Sequence, residues 1–445
     1  MRDVVVIGGG VIGLSCAYYL ARDGAKVTVV EAGALDAPRA SLANAGWVVP
    51  SLSGPVPAPG VVRQGLAWLF DRSSPLRVSP RPSPAFALWL LRFASASRRA
   101  PYRRGLEATV ALNRRTFELF DGLLADGLEF EMCDDGVVFA YLSPEEYERD
   151  LAGARELASL GFPMPVTAGS PQEARDLEPA LSGRVHGAYL VPGERCVDPR
   201  TLMTALAGGI RGLGGTIVEG VAGEMRSDRQ GPFVHAPTGP LRAGAYVVAA
   251  GAHSSRALAG LGVRLPLECG KGYCLDFAGA EAPPRRSIYL HEMRIAVTPL
   301  AAGLRVAGMM DLGDWTPGVR RDRLAVIEAS ARMGLAMTPG FPPTGSSFGH
   351  RPITPDGLPV IGRLSRWPSV HVATGHSMLG VTLAPATGDA IARLIAGGDG
   401  AVPPAASANA ADAATVTHPV ARALDPAAAD PAVDLTAFAP SRWGA

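Results

Sequence analysis

The sequence has few cysteines, and none of them has a close partner along the chain. The five are odd in number and scattered, and no CxxC pair occurs; they are Cys16, Cys133, Cys196, Cys269 and Cys274. This spacing argues against a disulfide framework and against a structural zinc site, and no metal site is predicted. Scattered free thiols are typical of a reducing compartment, so the sequence predicts a cytoplasmic protein.

Net charge and long hydrophobic runs are lacking as well. The formal net charge is +1, which provides no electrostatic footprint for nucleic acid. No run of about 18 uncharged apolar residues occurs, so no membrane-spanning helix is expected. Hydrophobic residues make up 47% of the chain and charged residues 19%, which is a globular composition. A chain of 445 residues can form two domains, each with a sizeable core.

A nucleotide-binding pattern opens the chain. An apolar run at Val4–Ile7 predicts a buried strand, a helical pattern covers 11–22, and a second β-branched run covers Lys26–Val30. Between the first strand and the helix lie three glycines in GxGxxG spacing, Gly8, Gly10 and Gly13. Glycines at these positions allow a tight turn, close approach of the backbone to a pyrophosphate, and close packing of helix on strand.

Glu31 closes the second strand, 18 residues after Gly13. A carboxylate there accepts hydrogen bonds from ribose hydroxyls and repels a 2′-phosphate, which disfavours NADP. The fingerprint alone does not separate FAD from NAD. Two later strand-and-glycine segments, Ala245–Gly251 and Ala373–His376, favour a flavin domain to which the chain returns.

Four segments together resemble the D-amino-acid oxidase superfamily of flavoproteins, and most closely its bacterial D-amino-acid dehydrogenase and glycine oxidase branches. The resemblance covers roughly residues 3 to 398. The segments are VVVIGGGVIGLSCAYYLARDGAKVTVVE, ASLANAGWVVPS, the pair VVAAGAHSSRAL and KGYCLDF, and GHRPITPDGLPVIGR followed by ATGHSMLGVTLAPATGDAIARLI.

The resemblance implies an α/β fold (α+β overall) with two domains. A glutathione-reductase-like Rossmann domain would bind FAD and comprise residues 1–55, 195–264 and 345–400. A mixed-sheet substrate domain would comprise residues 56–194 and 265–344. Residues 401–445 are dominated by alanine and proline and predict a poorly ordered tail.

The resemblance also implies which residues contact FAD. Asn44, Ala45 and Gly46 would lie against the flavin ring or the pyrophosphate, and Val221 would contact the adenosine through its backbone. The remaining predicted contacts are Gly8, Gly10, Val11, Ile12, Gly13, Glu31, Ala32, Ala250, Gly251, Gly375, Met378, Leu379, Gly380 and Val381. Covalent attachment in this superfamily would need a cysteine near Arg351 in the sequence, and none occurs, so noncovalent FAD is predicted.

Arg351 matches the arginine that holds the substrate carboxylate in glycine oxidases. Arginine suits this role because its planar fork can bind a carboxylate with two hydrogen bonds. The second carboxylate-binding arginine of glycine oxidases is replaced here by Met378. Candidates for the missing contact are Arg294, Tyr273, Tyr289 and His376.

The resemblance implies hydride transfer from Cα of a small D-amino or D-imino acid to flavin N5, with an acceptor such as quinone. Two alternatives stay open: a glycine or sarcosine oxidase that uses dioxygen, and an FAD-binding subunit of a multi-subunit amine dehydrogenase. Homo- and hetero-oligomers are both left open.

The apolar segment 84–104, which ends in several arginines, has two interpretations. It could lie on an anionic membrane surface, which would make the protein peripheral to the inner face of the cell membrane. It could instead pack on the substrate domain with a solvated basic end, and this second interpretation is favoured.

Overall fold

The computed structural model describes residues 2–68, 73–79, 81–159, 164–237, 239–279, 283–336, 342–397 and 434–445. Within them the helices are α1 Val11–Arg22, α2 Val61–Trp68, α3 Pro84–Ala96, α4 Arg99–Asn113, α5 Thr116–Ala125, α6 Pro144–Ser159, α7 Pro171–Leu177, α8 Pro199–Gly212, α9 Ser254–Ala257, α10 Arg321–Gly334 and α11 Ala384–Ala396. The first half of the strands comprises β1 Asp3–Ile7, β2 Lys26–Val30, β3 Trp47–Val48, β4 Leu76–Val78, β5 Met132–Cys133, β6 Val137–Tyr141, β7 Val166–Ala168, β8 Gly187–Val191, β9 Arg195–Val197, β10 Thr216–Val218 and β11 Glu224–Asp228. The second half comprises β12 Gly231–Ala236, β13 Gly239–Leu241, β14 Ala245–Val248, β15 Glu268–Phe277, β16 Ser287–Leu290, β17 Ile295–Leu300, β18 Gly303–Leu312, β19 Gly345–Ile353, β20 Val360–Arg363 and β21 Val370–Thr374.

A six-stranded sheet, here called the parallel sheet, has the strand order β10-β2-β1-β14-β21-β20. All neighbours pair in parallel except β20 with β21. Its central strands are apolar because helices cover the sheet, and α1 packs against both α8 and α11. At the closest approach of α1 to α11, a Cβ on Gly388 would lie 2.8 Å from the carbonyl oxygen of Ser15. The predicted strand–turn–helix–strand unit at the N-terminal end is confirmed.

The second large element is a mixed nine-stranded sheet, here called the large sheet. Its order is β19-β15-β18-β17-β16-β6-β8-β7, with β4 pairing with β18. One face packs against α10 and carries core side chains such as Ile288, Val297 and Val306. The other face packs toward the segment around Trp47, which comes after strand β2 of the parallel sheet. The predicted α/β fold, with a Rossmann-like unit and a mixed second sheet, is confirmed.

Strand β19 is the edge of the large sheet, although the sequence placed residues 345–400 with the FAD domain. It pairs with β15 over its whole length, from Gly345 opposite Asp276 to Ile353 opposite Glu268. The chain then crosses to β20 in the parallel sheet. The segment that carries Arg351 therefore joins the two sheets.

Segment 84–104 forms α3 and the start of α4. Phe86 and Trp89 are buried against Leu312 and Ile353, while Leu88 and Leu91 on the other side of α3 are 49% and 69% exposed. Within the described ranges, no helix is both long enough and apolar enough to cross a membrane.

The expectation that no disulfide forms is wrong. Cys133 on β5 and Cys196 on β9 lie directly opposite each other, with Cα atoms 5.1 Å apart, and form a disulfide. Their separation of 63 residues gave no sign of this pairing, because strand register and not sequence spacing brings them together. The argument for a reducing compartment, and hence for a cytoplasmic protein, therefore loses its basis.

The expectation of a poorly ordered tail is also wrong for residues 434–445, whereas 401–433 lie outside the described residues. Leu435 and Phe438 are buried in the core of the parallel sheet, Phe438 completely. Arg442 pairs with Asp356 at 2.9 Å and donates hydrogen bonds to the carbonyl oxygens of residues 358 and 359. These apolar and charged contacts anchor a segment that composition alone described as a tail.

Candidate active site

The turn between β1 and α1 forms one wall of a cavity of ≈ 500 Å³. Its glycines are required by the close approach of other backbone. A Cβ on Gly8, whose φ is +111°, would lie 2.5 Å from the carbonyl oxygen of Ala249, and a Cβ on Gly13 would lie 1.9 Å from that of Gly8. The first turn of α1 thus presents its N-terminus to the cavity, as an anion site requires.

Glu31 stands at the end of β2 on the same wall. Its Oε2 accepts a hydrogen bond from the Gly9 amide at 2.5 Å, and its Oε1 accepts one from the Gly33 amide at 3.1 Å. Arg39 lies 3.3 Å from the carboxylate. The carboxylate is therefore fixed beside the glycine turn, where the sequence predicted it.

The structure brings most of the predicted cofactor residues to this cavity. Those that line it are Gly8, Gly10, Val11, Ile12, Glu31, Ala32, Asn44, Ala250, Gly251, Gly380 and Val381. The others do not line the cavity but lie one or two positions along the chain from a residue that does; they are Gly13, Ala45, Gly46, Val221, Gly375, Met378 and Leu379.

Val221 shows how such a residue acts indirectly. Its amide donates to the carbonyl oxygen of Glu31 at 2.8 Å, which holds the chain against the end of β2. The next two residues, Ala222 and Gly223, then line the cavity.

Arg351 enters the cavity from the opposite side, on β19. Its side chain is partly buried, and burial lowers the pKa of its guanidinium group. Its Nη1 donates to the carbonyl oxygen of Met309 at 2.7 Å. No carboxylate in the described part of the chain forms an ion pair with it. A cation that is costly to bury and lacks a counterion is a candidate binding site for an anionic group.

With this geometry, comparison with known proteins identifies the family. Residues 3–394 match the family described as FAD dependent oxidoreductase (DAO).

The chain belongs to this family.

Among its relatives, D-amino acid dehydrogenase from Methylobacterium radiotolerans is 32% identical over 403 residues, covering 88% of this chain and 96% of the relative. D-amino acid dehydrogenase 2 from Pseudomonas aeruginosa is 33% identical over 411 residues, covering 88% and 95%. The crystal structure of glycine oxidase from Geobacillus kaustophilus shares the fold, with a TM-score of 0.73 at 20% identity, and covers 99% of both chains.

This FAD-dependent oxidoreductase has the donors and acceptors that its cofactor requires. The N-terminus of α1 suits the pyrophosphate, Glu31 suits the ribose, and the glycine turn leaves room that Cβ atoms would fill. Cys269 and Cys274 are buried on β15, and their thiols contact Asp314 O and Ser347 Oγ. Noncovalent attachment of FAD stays a prediction.

Three non-glycine residues in the described ranges adopt left-handed backbone, and two of them, Met309 and Ser377, contact Arg351 or the residue that follows it. Met309, with φ 65°, supplies the carbonyl oxygen that holds the Arg351 guanidinium. Ser377, with φ 50°, donates its amide to Pro352 O. The third, Arg294, has φ 54° and lies beside Gly308: a Cβ on Gly308 would be 3.3 Å from the carbonyl oxygen of Arg294. Strained backbone of this kind is characteristic of ligand sites.

His376 also lines the cavity. Its Nε2 lies 2.9 Å from Thr387 Oγ1, and its Nδ1 has no hydrogen-bond partner among the described residues. Burial lowers the pKa of His376 to about 3, so the ring is neutral near pH 7. An uncharged buried imidazole with one free nitrogen can contact a bound ligand without adding charge.

The other predicted substrate residues are divided between the two faces of the large sheet. Tyr273 faces α10, where its hydroxyl donates to Asp311 at 2.8 Å, so it does not reach the cavity and we assign it no role there. A bulge between Lys271 and Tyr273 shifts the register at this point. Tyr289 lies on the other face in edge contact with Trp47 and shares a hydrogen bond with Arg294.

Sequence reasoning missed several residues that line the cavity. Ser41, whose hydroxyl accepts a hydrogen bond from the Val11 amide at 3.0 Å, lies within the ASLANAGWVVPS segment, which could have indicated it. His253 and His350 approach the cavity from two different elements. Both lie within segments that carry the family resemblance, VVAAGAHSSRAL and GHRPITPDGLPVIGR, which could have indicated them.

Gly272 provides the space for the Arg351 side chain. A Cβ at this position would lie 2.2 Å from Cζ and Nη2 of Arg351, so Gly272→Ala must displace the guanidinium. We expect this variant to raise KM by a factor similar to that of Arg351→Ala, and the double variant to show no further loss, because both remove one interaction. Steady-state kinetics measures the KM of each variant. Gly122→Ala is the control, because a Cβ at Gly122 would meet nothing within 4 Å. Additive effects in the double variant would contradict it.

Proposed function

We propose that this enzyme oxidises the Cα–N bond of a small D-amino or D-imino acid and passes the electrons to an acceptor other than dioxygen. The observation that carries the proposal is Arg351, a partly buried guanidinium without a carboxylate partner in the described residues. A substrate carboxylate supplies that partner. The names of the relatives at 32% and 33% identity support an amino acid substrate and the D configuration.

The residues of the site suit an oxidation that needs little acid–base assistance. Bound FAD supplies a two-electron acceptor for the hydride that leaves Cα. Arg351 fixes the carboxylate and so orients Cα toward the cavity. His376 stays uncharged, because burial keeps its pKa near 3. It therefore does not repel a substrate whose amine is still protonated when it binds. The resulting imine hydrolyses in water to a keto acid and ammonia, or stays cyclic if the substrate was an imino acid.

Two features support an acceptor other than dioxygen. The curated relatives are named dehydrogenases. Helix α3 exposes Leu88 and Leu91 beside a basic stretch of chain, which suits contact with an anionic membrane that holds quinone. Sedimentation with vesicles of anionic lipid tests this contact, and Leu91→Ser should weaken it.

Anaerobic mixing of the purified holoenzyme with a panel of D- and L-amino and imino acids tests the proposed reaction. We expect the visible absorbance of oxidised flavin to fall with D substrates and to stay unchanged with the L enantiomers, which serve as the matched control. Bleaching by L substrates alone would contradict the D configuration.

Two further outcomes distinguish the alternatives. Under air, we expect much less hydrogen peroxide than substrate consumed. Peroxide that matches substrate loss would instead support a glycine or sarcosine oxidase. A holoenzyme whose flavin bleaches with none of the compounds would support an FAD-binding subunit of a larger dehydrogenase.

A further inference from the structure

Arg305 is a fully buried cation on β18 whose contacts extend beyond the large sheet. Its Nε and Nη2 donate to the Asp276 carboxylate at 2.8 and 3.3 Å. Its Nη1 donates to the carbonyl oxygens of Leu42 at 3.1 Å and Asn44 at 3.3 Å. The guanidinium therefore joins the large sheet to the segment between β2 and β3.

Arg305 holds residues 39–46, here called the cavity loop. This loop forms part of the FAD cavity. Arg39, Ala40, Ser41 and Asn44 all line that cavity. The Asn44 side chain accepts a hydrogen bond from the Gly46 amide at 2.8 Å and donates one to Met378 O at 3.4 Å. Asn44 thus links the cavity loop to the loop that carries His376.

A second side chain of the large sheet holds the same loop. Thr298 on β17 donates its hydroxyl to the Ala45 carbonyl oxygen at 2.8 Å and accepts a hydrogen bond from Trp47 Nε1 at 2.9 Å. Three carbonyl groups of the cavity loop, those of residues 42, 44 and 45, are therefore fixed by the large sheet. Loops held in this way keep their conformation when a ligand arrives, which lowers the entropic cost of binding.

We propose that Arg305 is a positioning residue for FAD, which holds the cavity loop in the conformation that binds the cofactor. Arginine is needed because its planar fork pairs with Asp276 through two nitrogens while the third reaches the loop. Asp276 neutralises the buried charge and keeps a second partner, Arg200, at 2.9 Å. The role of Arg305 depends on FAD binding and not on the identity of the substrate. The proposal for Arg305 and the proposed function can therefore fail independently of each other.

The test measures how tightly FAD binds to the apoenzyme of Arg305→Gln. The change in flavin fluorescence during titration reports the affinity, and the visible circular dichroism of bound flavin reports the surroundings of the flavin. We expect roughly 10- to 100-fold weaker FAD binding, because two charged hydrogen bonds to the loop are lost. We also expect an altered dichroism spectrum, which a loss of general stability would not produce. Arg305→Lys should recover part of the affinity, since it keeps the charge but not the fork.

Arg200→Ala is the matched control, because it removes the half-exposed partner of the same carboxylate and should change FAD affinity by no more than about twofold. Wild-type FAD affinity and dichroism in Arg305→Gln would overturn the proposal, even if the variant unfolds more readily. If Arg305→Gln does not fold, FAD affinity and dichroism are measured instead on the variants Arg305→Lys and Thr298→Val. Unchanged FAD affinity and dichroism in both would overturn the proposal, and weaker binding with an altered spectrum would support it.

Discussion

Replacing Arg351 with alanine is expected to raise KM for the substrate by roughly 30- to 900-fold, which corresponds to about 2–4 kcal/mol. The loss is large because the guanidinium is partly buried and because, in the described residues, only Met309 O accepts a hydrogen bond from it. A substrate carboxylate would therefore provide most of its electrostatic stabilisation. Steady-state kinetics with the best substrate of the D-amino acid panel measures the effect.

Arg103→Ala provides the comparison, since this arginine on α4 is 82% exposed and, among the described residues, pairs only with Glu107 of its own helix. We expect its KM to match that of the wild type. Arg351→Lys should lie between the wild type and the alanine variant, because it keeps the charge but loses the two-pronged geometry. An unchanged KM in Arg351→Ala would show that the carboxylate is held elsewhere, and Arg294 would then be the next residue to substitute.

Gly13→Ala is expected to weaken FAD binding strongly. A Cβ on Gly13 would lie 1.9 Å from the Gly8 carbonyl oxygen, which is backbone and cannot rotate away. Relieving this overlap must move α1 away from the turn that forms the cofactor site, at a cost of about 1–3 kcal/mol. The corresponding loss in FAD affinity is roughly 5- to 150-fold. The FAD content of the purified protein and titration of the apoenzyme measure it.

Gly208→Ala is the control for this change. Gly208 lies on the exposed side of α8, and a Cβ there would meet nothing within 4 Å. Alanine in a helix is favoured over glycine by roughly 0.5–1 kcal/mol, so this variant should bind FAD normally and be slightly more stable. Normal FAD affinity in Gly13→Ala would mean that the turn can open without affecting the cofactor site.

Local sequence patterns predicted the strand–turn–helix–strand unit that contains the glycine turn. The apolar runs of β1 and β2, the glycines between them and Glu31 lie within about thirty residues of one another. Their spacing determines their geometry, because a short strand followed by a tight turn leaves the helix few directions. In the structure Gly8, Gly10 and Glu31 line one cavity, and its role as the FAD site stays a prediction from this spacing.

The substrate side was harder to predict, because it depends on the face of a strand. Tyr273 and Gly272 are neighbours on β15, yet Tyr273 faces α10 while Gly272 lies beneath Arg351. Side chains alternate along a strand, and the bulge after Lys271 shifts that alternation. The KGYCLDF segment contains both residues, but the resemblance does not say which one lies against Arg351.

The sequence by itself determined the fold class, the FAD-binding fingerprint and the candidacy of Arg351, because each depends on residues that are close in the chain or on a motif. Only the tertiary structure decided which distant residues meet. It paired Cys133 with Cys196, buried Phe438 in the core and placed Arg305 on the carbonyl groups of the cavity loop. These contacts join residues far apart in sequence, and strand register and packing bring them together, which local spacing does not encode.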